Sequence, residues 1–267
     1  MVAKGSSSDE YVRRARYLPG LVALAPVGVV IVAGGWQDAR LVTVLAGAAV
    51  SIGAPLVLQS FVRHQGVRYD VTELEGSDGR WTTTRMLWPQ PPEAPDAARN
   101  AEYRRVVERA TQRTLPDTVP PGVDGAARVA AVLDESVAVV RSLTRDEQFR
   151  MLHDENAEYG MWRNLRGVRS FGLATAGLAA AAAAVLIGLA LGDVIGASAA
   201  ELVVGLVVVA AIGAFWWWVP TDARVHQASR RYALALFDAA RLVGSVAAAD
   251  AVRAGEPAVH APTGDEP

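Results

Sequence analysis

Two apolar blocks, residues 18–62 and 171–219, dominate this chain, and the sequence before, between and after them is polar. A water-soluble core draws on amphipathic elements spread along a sequence, whereas long unbroken apolar runs ask for a bilayer. Hydrocarbon about 30 Å thick is crossed by roughly 20 residues of helix, and lipid offers no partner for exposed backbone groups. Four segments meet that length: residues 18–36, 41–61, 171–191 and 202–219. The polar turn from Gln37 to Arg40 closes the first pair into a hairpin, and Gly192-Asp193 with Ala200-Glu201 closes the second. The expected fold class is therefore all-α: an integral membrane protein with four transmembrane helices in two hairpins and a helical cytoplasmic insert.

Arginine placement sets the expected orientation, because basic residues near helix ends stay in the cytoplasm. Arg13, Arg14 and Arg16 precede the first span, Arg63 and Arg68 follow the second, Arg163, Arg166 and Arg169 precede the third, and Arg224, Arg230 and Arg231 follow the fourth. The two short loops offer only Arg40. Both termini and the insert are thus expected to be cytoplasmic. Trp36, Trp162 and Trp216 to Trp218 stand at span ends, where amphipathic rings favour the headgroup zone. Arg13-Arg14 before an apolar run superficially resembles an export signal, but the run is long, no small-x-small cleavage site follows, and a second span comes almost at once. The first span is expected to be retained.

The resulting division is a cytoplasmic N-terminus (1–17), a first hairpin (18–61), a cytoplasmic helical domain (62–169), a second hairpin (170–219), a cytoplasmic helix (220–252) and a disordered tail (253–267). The tail is rich in Gly, Pro and acidic residues and has little to bury.

Within the third span, Gly172, Ala176, Ala180, Ala184, Gly188, Gly192 and Gly196 recur every fourth residue. Small residues in such a stripe let another helix approach closely, and that contact drives association in lipid. The other helix belongs either to the same chain or to a second copy in a homo-oligomer. Pro26 and Pro55 interrupt the first two spans and are expected to kink them. Ionisable residues are nearly absent from the spans, Glu201 at an edge being the nearest, which disfavours ion-coupled transport.

In the insert, residues 62–71 continue the second span as helix toward Glu75, a short strand being the weaker alternative. Asp96 reads as a helix cap, with Tyr103, Val106, Val107 and Ala110 on one face of a helix ending before Pro116. Val129, Val132, Leu133, Val137, Val140 and Leu143 mark a second amphipathic helix. A third runs from about Thr144 into the membrane with Phe149, Leu152 and Tyr159 on its buried face, and Thr221 or Asp222 caps a further helix carrying Val225, Tyr232, Leu236 and Leu242.

Signals for chemistry are weak. The net charge of -2 gives no basic excess for neutralising phosphates, so nucleic acid is not an expected partner. There is no cysteine, hence no disulfide, thiolate nucleophile or Cys-based metal site. His153, Asp154, Glu155 and Glu158 cluster, but not at the spacing of a metal signature, and read as a solvated helix face or as partners of nearby arginines. Thr82, Thr83 and Thr84 read as capping and turn residues. With no nucleophile elbow, phosphate loop or dinucleotide fingerprint, no enzyme, metal or cofactor is expected.

Two stretches carry a resemblance. Trp81 to Leu87 with Asn100 to Arg104, and Leu143 to Asp146 followed by Leu152 to Leu165, resemble the cytoplasmic insert of an uncharacterised family of bacterial membrane proteins with four transmembrane helices. The family-like motif comprises Asn156, Tyr159, Gly160, Arg163, Asn164 and Leu165, with Met161-Trp162 where an aromatic and Arg are usual and Thr82 where Pro is usual. The resemblance implies the bacterial inner membrane as the location, and no settled activity. In layout alone the chain is similar to four-span membrane effectors of antiphage defence, an analogy that implies a triggered, membrane-disrupting or channel-like oligomer. The alternative is a membrane-anchored scaffold for a cytoplasmic protein partner, and a membrane enzyme without a recognisable motif comes third.

Overall fold

The structure, a computed structural model, describes residues 13–35, 54–70, 80–122 and 124–255, and the side chains among them except for those of 54, 55 and 247–255. No strand occurs among these residues. A π-helical turn, Arg13–Tyr17, leads into α1 (Leu18–Ala33). Then follow α2 (Ala54–Tyr69), α3 (Thr82–Leu87), α4 (Ala97–Thr111), α5 (Gly125–Leu143), α6 (Arg150–Gly167), α7 (Arg169–Leu191), α8 (Ala199–Trp218) and α9 (Asp222–Gly255). The chain forms two compact units, Met1–Trp81 with Arg150–Tyr232 and Thr82–Phe149 with Ala233–Pro267.

Among the described residues, three helices of the first unit are long and apolar enough to cross a membrane: Arg13–Ala33, Arg169–Leu191 and Ala199–Trp218. Most of the expected second span, residues 41–53, lies outside the described residues, as do the turn at 37–40 and the tail from 256. The described part of that span begins at Ala54 and is helical, within α2. The helix runs past the apolar block to Tyr69, in keeping with the reading of this stretch as helix, whose continuation from 71 toward Glu75 lies outside the described residues.

The first unit packs through small residues. The ring of Trp216, 0% exposed, covers Gly172, where any Cβ would collide with the indole. A Cβ on Gly205 of α8 would come within 2.8 Å of the Ala33 side chain of α1, and one on Gly20 of α1 within 2.7 Å of Leu58. Ala23, Val62, Leu165, Val168 and Trp216 form one core cluster, and Val30, Ala179, Ala183 and Val209 form another. One polar contact joins α7 to α1: Thr175 Oγ1 is 2.6 Å from the carbonyl of Ala23. The outward surface of these helices is apolar, with Leu21, Leu178, Val185, Val204 and Val207 all exposed. A patch of that kind asks to be covered by lipid or protein.

In the second unit the expected periodicities hold for most positions. Val106, Val107 and Ala110 of α4 are buried, as are Val129, Leu133, Val137 and Val140 of α5, while Val132 and Leu143 are exposed. Asp96 occupies the α4 cap position without a side-chain cap hydrogen bond, and Gln112 ends the helix at φ 54°. Arg104 is the polar centre of this unit: it donates to the carbonyls of Leu87 at 2.7 Å and Pro116 at 2.6 Å, and to Asp117 at 3.1 Å. Asn100 caps the end of α3 through the carbonyls of Met86 and Trp88. Thr83 and Thr84 are buried, and Thr84 donates to Asp134, so the threonine run secures α3 against α5. The later part of α9 packs in this unit, Phe237 stacking on Tyr103 at 4.8 Å and Arg241 pairing with Glu102.

Candidate functional site

The densest set of long-range polar contacts lies where the helices of the first unit leave their apolar stretches. It starts from a backbone constraint. A Cβ on Gly167 of α6 would stand 2.6 Å from the carbonyl oxygen of Gln65 in α2, and one on Gly66 would collide with the Asn164 side chain. Two glycines thus let α2 and α6 cross at backbone contact, which brings the polar side chains of both within hydrogen-bond reach.

Asp70, at the end of α2 and 1% exposed, is held from both sides. Tyr159 donates to its Oδ1 at 3.0 Å, and Arg163 Nη1 lies 3.1 Å from its Oδ2. Arg163 also lies over the Tyr159 ring at 5.7 Å, and Tyr159 stacks on Tyr232 at 6.0 Å. Asn164, 0% exposed, donates to the carbonyl of Ala15 at 2.5 Å and so ties the π-helical turn to α6.

A second carboxylate, Asp222 at the first position of α9, receives Tyr69 at 2.6 Å and a two-pronged contact from Arg166 at 2.8 and 3.2 Å. The Arg166 guanidinium, then the Tyr69 hydroxyl, hold its carboxyl below the ordinary value against the opposing effect of partial burial, and His226 nearby acts in the same direction. About two turns before Arg166 on α6, Glu158 accepts from Trp162 at 3.3 Å and pairs with Arg231. Glu155 lies 3.4 Å from Arg231 Nε, close enough for charge pairing but not aligned as a hydrogen bond.

Of the six motif residues, Tyr159, Gly160, Asn164 and Leu165 are buried, Arg163 and Asn156 are partly buried, and Tyr159, Arg163 and Asn164 enter this latch directly. Glu155 and Glu158 of the 153–158 cluster engage Arg231, one of the two readings open to them, whereas Asp154 is exposed. Arg163 and Arg166, expected as topology markers, are paired with carboxylates. Asp70 and the glycine pair were not singled out from sequence, and Asp222 was read only as a candidate helix cap, not as a partner of Arg166 and Tyr69. Their partners lie 56 to 153 residues away, so no local pattern announces them.

The small-residue stripe divides. Gly172 and Ala176 are buried within the chain, Ala180 is partly buried, and Ala184 and Gly188 are exposed. Gly192 caps the end of α7, and Gly196 lies in the connection beyond it. The cause is geometric: a period of four advances about 40° per step around a helix of 3.6 residues per turn, so the stripe winds off the packed face. That face is carried instead by Gly172, Thr175, Ala176, Ala179 and Ala183.

Two open grooves score the apolar surface. One of about 720 Å³ runs between α1 and α8 with Glu201 at its mouth. Another of about 360 Å³ runs between α7 and α8, ending at Trp217 and Trp218. Among the described residues no three His, Asp or Glu side chains converge as metal ligands would. Comparisons with family models, with curated proteins and with solved structures find no match to the chain.

Proposed function

We propose that the chain is a non-enzymatic, multi-pass protein of the bacterial inner membrane, with four spans in two hairpins and a cytoplasmic insert that controls them. In this reading it is an oligomerising, membrane-disrupting or channel-like effector, and by analogy with the layout of four-span effectors the insert receives its signal. The observation that carries the reading is the latch around Asp70 and Asp222. It joins the ends of α2, α6 and α9 and the turn before α1 through charged, geometrically demanding contacts. Such contacts have few intermediate arrangements, which suits a switch between two states. The helix α9 contributes Asp222 to the latch and its later residues to the second unit, so one element is common to both. The exposed half of the stripe, Ala184 and Gly188, offers a surface for a second copy.

The second reading, a membrane-anchored scaffold binding a cytoplasmic protein, is favoured by the apolar character of both grooves, whose linings hold Glu201 as their one charged residue. Membrane potential in expressing bacteria separates the two. A Cβ on Gly188 meets nothing within 4 Å, so Ala184→Leu with Gly188→Leu blocks a neighbouring chain while leaving the internal face intact. Depolarisation by the wild type and not by the variant, at matched membrane levels, supports the effector. Unchanged potential in the wild type, with a soluble protein copurifying, supports the scaffold.

A further inference from the structure

The groove between α7 and α8 has the shape and chemistry of a single lipid chain's seat. Its walls are small residues, among them Ala176, Gly177, Ala180 and Gly213, and a Cβ at Gly177 would meet nothing within 4 Å. At one end stand Trp217 and Trp218, 59% and 69% exposed, as rings at a headgroup boundary do. Beside them is Arg169, whose guanidinium lies 5.7 Å from the Trp217 ring and donates to the carbonyls of Trp216 at 3.0 Å and Trp217 at 2.8 Å.

Arg169 differs from its neighbours in charge balance. Arg163, Arg166 and Arg231 each pair with a carboxylate, whereas among the described residues the hydrogen bonds of Arg169 go to neutral carbonyls, which do not offset its charge. A guanidinium held in place at the mouth of an apolar groove complements a phosphate joined to an acyl chain. The α1–α8 groove provides the contrast, since Glu201 at its mouth would repel the same group.

We infer that the α7–α8 groove binds one anionic phospholipid, an acyl chain lying along Gly177 and Gly213 and the headgroup phosphate meeting Arg169. The inference rests on the reading that α7 and α8 lie in a bilayer.

The test is native mass spectrometry of the detergent-solubilised full chain titrated with phosphatidylglycerol or phosphatidylcholine. The wild type should bind phosphatidylglycerol about tenfold more tightly, the scale of one charge-assisted contact. Arg169→Gln should remove that preference, Gly177→Leu should weaken binding of both lipids, and Arg128→Gln in the second unit should change neither. Equal affinities in the wild type, a preference retained by Arg169→Gln, or unaltered binding in Gly177→Leu would overturn the site. Carbonate extraction of the same cells keeps the two levels apart. Release of the chain into the soluble fraction overturns the bilayer reading itself, whereas retention with no lipid preference overturns the lipid site alone.

Discussion

Arg163 Nη1 stands 3.1 Å from Asp70 Oδ2 across 93 residues of chain, with the carboxylate 1% exposed and the arginine side chain 16% exposed. Taking one charge from such a pair costs more than the pair contributes, because the other charge stays buried. Asp70→Asn should therefore destabilise the chain by about 3 kcal/mol, and adding Arg163→Met should recover part of that loss. Thermal unfolding in detergent reads both. A double variant less stable than Asp70→Asn would contradict this account.

Gly167→Ala should cost about 1–3 kcal/mol, the usual result of overpacking, since its Cβ must displace the Gln65 backbone. Gly177→Ala is the control. Its Cβ has open space, and replacing a mid-helix glycine should raise stability by up to about 1 kcal/mol.

The unit built on Arg104 makes its own prediction. Three acceptors surround that guanidinium, two of them backbone carbonyls that a shorter ammonium cannot span together. Arg104→Met should cost about 2–4 kcal/mol and Arg104→Lys should recover less than half of it. Limited proteolysis at the 112–122 loop is a direct readout, with faster cleavage expected in both variants.

Asp222 gives a pH dependence of defined sign. Its carboxyl is held below the ordinary value of about 3.8 in the folded chain, so it releases its proton more readily folded than unfolded. Its contribution is thus complete above the unfolded value and is lost as pH falls through the lower, folded one. The stability gap between wild type and Asp222→Asn should be constant from pH 7 to about 5 and close below about 4. A gap that widens on acidification would reverse the assignment.

Much of the helical framework can be read from local pattern. The spacing of Val129, Leu133, Val137 and Val140 places a buried face on α5 because consecutive turns of one helix supply it. Leu242 was grouped by the same logic with Leu236, yet it is 60% exposed while Leu236 is 0% exposed. Helical spacing says which residues share a face but not how far a partner extends along it. The latch was half visible. Tyr159, Arg163 and Asn164 lie in one stretch that the sequence motif picks out, whereas nothing local marks Asp70, and local pattern marks Asp222 only as a helix cap. The stripe is regularly spaced, but a helix turns by 100° per residue and carries Ala184 and Gly188 away from the face on which Gly172 and Ala176 are buried. The division of the expected spans stops at residue 54, where the described part of the second begins.

The crossing of α2 and α6 has a mechanical consequence. Where two helices touch through side chains, rotamer changes let them slide by small amounts, but Gly167 meets the backbone of Gln65 and Gly66, and no such slack exists there. Relative motion of these helices must then pivot about that point, which makes the glycine pair a fulcrum. The Asp70 and Asn164 contacts sit within a turn of it, on arms too short to swing far, while the distant ends of α2 and α6 would sweep through a larger arc for the same rotation.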